Sequence, residues 1–146
     1  MLPEYFEFLN PVKLLCGSGA LENIPYELDR LGVKKPLALV SRTLLEEGVI
    51  ERIGGKLEAV IQSDIPKDSS FSLVDSVAKR AREEGCDGVL AIGGGSVLDT
   101  AKAVRALIAR GEASADDYPL LLHVDDIIER GKAVDIPWNK FELETL

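Results

Sequence analysis

The most restrictive feature of the chain lies in its middle. Gly88-Val-Leu-Ala-Ile runs into Gly93-Gly94-Gly95, and Ser96 opens a helical pattern that reaches residue 110. Five uncharged, mostly apolar residues read as a strand buried on both faces. Three glycines in a row break it. Val97, Ala101, Val104 and Ile108 then recur at helical steps and give one inward stripe. A buried strand that turns through glycine into an amphipathic helix is half of a strand-helix-strand crossover, which demands a parallel sheet.

The same alternation recurs upstream. Leu37-Ala-Leu-Val and Ala59-Val-Ile read as buried strands. Residues 70–84 predict a helix, with Leu73, Val74, Val77, Ala78 and Ala81 on one side and Lys79, Arg80, Arg82, Glu83 and Glu84 on the other, ended by Gly85. A shorter helix is expected over residues 25–31, since Pro25 suits a helix start and Gly32 a helix end. Residues 43–57 carry a helical pattern interrupted by Gly48, Gly54 and Gly55, and Asp64 to Ser70 reads as a turn. The run at residues 12–16 is expected to be another buried strand, leaving through Gly17-Ser18-Gly19. The fold class expected is α/β, a Rossmann-like parallel sheet with helices on both faces.

Composition narrows the partners. A chain of 146 residues is the size of one domain. With 17 basic and 25 acidic residues its net charge is -8, which repels phosphate backbones and anionic lipid, so neither nucleic acid nor membrane is expected as the main partner. No apolar run approaches about 18 residues and no signal peptide pattern opens the chain. Cys16 and Cys86 lack metal or redox spacing and lie in apolar stretches, as buried free thiols in a reducing cytoplasm would.

The glycine loop carries the chemistry. A helix start offers N–H groups without intrahelical partners and a partial positive charge, and glycines let an anion approach the backbone and permit positive φ. Such a loop would stand at the carboxyl edge of the sheet, where open α/β folds bind ligands. Two other readings stand beside anion binding: glycines kept for packing alone, and a capping pair made by Ser96 and Asp99. The loop is not a P-loop, because residues 93–100 lack its lysine and spacing. Nor is it G-x-G-x-x-G, because Leu98 holds the last position.

The run GGGSVLDTAKA resembles the signature of the iron-containing (group III) alcohol dehydrogenases, whose first domain has the type shared with dehydroquinate synthases. The stretch from Lys13 through Gly17-Ser-Gly19, then Asp64-Ile-Pro-Lys-Asp-Ser-Ser, then Arg82-Glu-Glu-Gly-Cys-Asp-Gly, are similar to it too. The likeness covers about residues 11–118. It implies an NAD- or NADP-binding domain over residues 1–111, with Gly93, Gly94, Gly95 and Ser96 at the pyrophosphate and Asp99 near the ribose or nicotinamide. Lys102 and Arg105 share that helix face and read better as an ion-paired surface. In the family an acid often ends the second strand and takes the adenosine ribose. Ser41 and Arg42 stand there instead, which leans the choice toward NADP, although Arg42 could equally face solvent.

The likeness fails at the C-terminal end. Residues 112–146 read as an atypical, acidic tail or arm, with Trp138 and Phe141 as apolar anchors, where the family continues into a helical domain bearing the metal ligands. The only histidine, His123, has no ligand spacing around it. The resemblance therefore implies iron or another divalent metal only for the full-length family enzyme, and no catalytic or metal residue for this chain. It implies an oxidoreductase acting on alcohols and aldehydes, of which this chain is the cofactor half. The alternative is a non-catalytic nucleotide-binding or interaction module of the same descent. A homo-oligomer, a dimer by preference, is expected from the apolar surface such a domain would leave uncovered.

Overall fold

In a computed structural model of the chain, the structure describes residues 12–53 and 57–111. The order of elements is α1 (Ile24–Arg30), β1 (Pro36–Val40), α2 (Arg42–Glu46), α3 (Val49–Arg52), β2 (Val60–Gln62), α4 (Phe71–Glu83), β3 (Gly88–Ile92) and α5 (Gly95–Arg110), with a 3-10 turn at Ala20–Asn23 before α1. The strands are all parallel, in the order β2-β1-β3. Leu37 pairs with Val60 on one side and Val89 on the other.

Strand β1 is central and wholly buried, and its alternation sorts two cores. Leu37 and Leu39 face one layer with Val60, packed against Val74, Val77, Ala78 and Ala81 of α4 and Val97, Ala101, Val104 and Leu107 of α5. Ala38 and Val40 face the other, with Ile92, Val49 and Ile53, where Leu21, Ile24, Leu44 and Ile50 also pack. Helices therefore cover both faces, as the strand-helix alternation requires. Each fully buried aliphatic side chain contributes about 1.5–3 kcal/mol relative to exposure. Among the described residues β2 is an edge strand, and there Arg80 donates to the Ile61 carbonyl at 3.2 Å and to Gln62 Oε1 at 2.9 Å.

Several expectations are corrected. Residues 12–16 form no strand: Leu14 is 81% exposed and the segment pairs with none of the three strands described. An apolar run becomes a strand only with a ladder partner. What ties this segment down is Lys13, which pairs with Glu27 of α1. That hydrogen bond, with a weaker one from Arg30, holds the Glu27 carboxyl below its usual range against the opposing effect of burial. Cys16 is exposed and Cys86 half-buried, so neither is the buried thiol expected. Desolvation raises the Cys86 pKa, which keeps it protonated. Residues 43–57 do not make one helix. Gly48, at φ 74°, separates α2 from α3 because a left-handed residue cannot continue a right-handed helix. The expected tail, 112–146, lies outside the described residues.

Among the described residues no helix is long and apolar enough to cross a membrane.

Candidate functional site at the carboxyl edge of the sheet

The chain leaves β1 toward β2 on one side and returns across to β3 on the other. The carboxyl ends of β1 and β3 therefore form the point where the winding reverses, the place open α/β sheets use for ligands. Ser41 follows β1 and Gly93 follows β3. They are bound together by the Ser41 N–H donating to the Ile92 carbonyl at 2.9 Å.

The three glycines do different things. A Cβ on Gly93 would lie 2.7 Å from Val97 Cγ2 and 3.3 Å from Ser41 Cβ, so the fold itself excludes a side chain there. Gly94 and Gly95 have open space where a Cβ would be, and neither has positive φ. The left-handed conformation anticipated for the loop is thus not used. Gly94 is the N-cap of α5, in extended conformation, and no side chain caps the helix. Two bare peptide units consequently face outward at a helix start that carries partial positive charge.

Ser96 and Asp99 do not form a capping box, because α5 begins at Gly95, one residue earlier than the pattern indicated. The Ser96 hydroxyl donates instead to the Lys67 carbonyl at 2.7 Å. One turn on, the buried Thr100 hydroxyl donates to the Ser96 carbonyl at 2.7 Å. Its single proton is used there, so the Ser69 hydroxyl is the donor in the Ser69–Thr100 pair. These bonds clamp the loop between β2 and α4 onto the first turn of α5. Sequence patterning passes over both Thr100 and Ser69; the one signal present is a threonine in an otherwise apolar helix stripe. Asp99 is exposed and pairs with Lys102 at 3.0 Å, as expected of that surface.

Beyond β1, Ser41 caps α2: its Oγ accepts from the Leu44 N–H at 3.4 Å. Arg42 does not simply face solvent. Its guanidinium pairs with Asp64, just past the end of β2. Arg42 thus meets an acid carried by the segment that follows the neighbouring strand. Ser41, Arg42, Ser63, Asp64, Ile65 and Pro66 line an open hollow of about 360 Å³. A larger one, about 470 Å³, lies between Gly17–Glu22 and Arg52 and shares no residue with the glycine loop. Size does not make it the better site, since it contains no helix start of comparable length. Among the described residues no cluster of three or more histidine, cysteine or carboxylate side chains could hold a metal ion.

The described residues form a doubly wound α/β domain of Rossmann-like type, with an uncapped glycine loop at its switch point. The sequence model of iron-containing alcohol dehydrogenases matches residues 11–137, and the chain belongs to that family of oxidoreductases. It is 31% identical over 103 residues to the 4-hydroxybutyrate dehydrogenase of Cupriavidus necator, covering 68% of this chain and 27% of that protein. It is 34% identical over 106 residues to the probable alcohol dehydrogenase EutG of Salmonella typhimurium, covering 69% and 27%. The crystal structure of NADH-dependent butanol dehydrogenase A from Thermotoga maritima superposes with a TM-score of 0.69 at 32% identity, over 78% of this chain and 30% of that one. The chain spans about a quarter to a third of the length of the curated relatives it matches.

Proposed function

We propose that this chain is the NAD(P)-holding part of an alcohol dehydrogenase, with the Gly93–Ser96 loop on the pyrophosphate. One observation carries the reading: Gly94 and Gly95 lack side chains at positions where the fold has room for them and no positive φ requires glycine. Packing explains Gly93 and leaves the other two unexplained, whereas an anion approaching the N-terminus of α5 explains both. Gly94, Gly95 and Ser96 would offer backbone N–H groups. The Ser96 hydroxyl, committed to Lys67, holds the loop instead. Asp99 would lie on the ribose or nicotinamide side. At the adenosine end, Ser41 and Arg42 would supply the groups that meet a 2′-phosphate, which is what leans the choice toward NADP. The cofactor supplies a hydride donor or acceptor for an alcohol or aldehyde. The part assigned to the described residues is the holding and orienting of that cofactor.

Titration of the full chain with NADH and NADPH, followed by nucleotide fluorescence, tests this. Gly95→Val should weaken binding at least tenfold while leaving the melting temperature within a few degrees, because its side chain enters empty space. Unchanged binding by a folded variant would remove the glycine loop from the site.

We also propose a cytoplasmic homo-oligomer. Val12, Leu14 and Leu15 are 60%, 81% and 47% exposed, apolar surface that association would cover. Sedimentation across a concentration series checks it, and a monomer at the highest concentration rejects it.

A further inference from the structure

We propose that Asp64 is a specificity-determining residue that restrains binding of a 2′-phosphorylated nucleotide by occupying Arg42. The proposal rests on the nucleotide reading above and concerns the adenosine end of the same cleft.

Arg42 opens α2 immediately after β1, and Asp64 follows β2, the strand paired with β1. Both side chains therefore emerge at the same carboxyl edge, and they form an ion pair at the hollow they line together. They are 67% and 71% exposed, so water screens the pair and it is easily exchanged. A phosphate dianion can accept two parallel bonds from a guanidinium, whereas Asp64 accepts one through a single carboxylate oxygen. A 2′-phosphate could thus take Arg42. It would do so next to the displaced Asp64 carboxylate, a like charge in the same hollow.

The backbone that carries Asp64 is held in place. Pro66 stiffens its loop, and the loop is fastened to α5 by the Ser96–Lys67 bond and the Ser69–Thr100 pair. The Asp64 carboxylate lies beside the Arg42 guanidinium in the hollow that both residues line. Its presence turns a phosphate-seeking group into one with a standing competitor.

The test uses the full chain with 2′,5′-ADP and 5′-ADP as probes, measured by calorimetry at low and at physiological salt. Asp64→Asn should tighten 2′,5′-ADP about fivefold at low salt and leave 5′-ADP within twofold, with the gain shrinking as salt rises. In an Arg42→Gln background the same change should lose more than half of its effect, because the competitor no longer has an arginine to occupy. Equal effects on the two probes, or a full gain without Arg42, would overturn the role of Asp64 while the nucleotide site stands. If the wild type binds neither probe, the nucleotide reading fails and takes this proposal with it.

Discussion

The two edges of the parallel sheet solve opposite problems. At the amino edge the chain closes on itself. The Asp87 carboxylate accepts the backbone N–H groups of Lys34 and Lys35, each at 2.8 Å, and the Asp87 N–H donates to the Lys35 carbonyl at 3.1 Å. A Cβ on Gly88 would meet Val33 Cγ1 at 2.6 Å, so packing is tight as well. At the carboxyl edge, the N-terminus of α5 has no side-chain cap and two glycines border open space. One end of the sheet consumes its polar groups and space in making the fold. The other keeps both available, and the hydroxyl clamps from Ser96 and Ser69 hold it in shape without filling it.

The largest effect should separate the edges most clearly. Gly88→Ala should cost about 1–3 kcal/mol of stability through overpacking on Val33. Gly94→Ala should cost almost none, since its Cβ meets nothing within 4 Å. Urea denaturation of the two variants decides it, and equal destabilisation would break the contrast. Next in size is Thr100→Val, which deprives Ser69 of its acceptor. A loss of about 0.5–1.5 kcal/mol is expected. Faster amide exchange should appear in residues 63–70, whereas unchanged exchange there would mean the clamp does not hold the loop.

The smallest effect is set by pH. The bonds from Lys34 and Lys35 hold the Asp87 carboxyl below its usual range. A depressed carboxyl stabilises the fold above the unfolded-state pKa of about 3.9, and that stabilisation is lost as pH falls through the folded value. Asp87→Asn should therefore lower the melting temperature at pH 7 and converge with the wild type in acid. The nucleotide affinity measured at pH 7 should stay unchanged, because this edge is away from the loop.

Periodicity alone located β1, β2, β3, α4 and α5 to within a residue or two, because burial on two faces leaves long apolar runs and burial on one leaves a stripe. It failed at residues 12–16, where the apolar run pairs with none of the described strands. Over residues 43–57 it marked Gly48 as an interruption among three glycines but not as the left-handed residue that divides α2 from α3. At the site, the run of three glycines was legible as a strand-to-helix turn, but not that Gly93 serves packing while Gly94 and Gly95 stand open.

What the sequence by itself determined is therefore local: the strand-helix alternation, the parallel sheet it implies, and a glycine loop at a helix start. Only the tertiary structure decided which polar groups are spent and which are free. Ser96 meets Lys67, Ser69 meets Thr100, Arg42 meets Asp64, and Gly88 meets Val33, pairs separated by 22 to 55 positions. Side-chain periodicity is a property of neighbours along the chain. A hydrogen bond or a steric contact depends on distance in space, which these four pairs acquire only when the strands align at common edges.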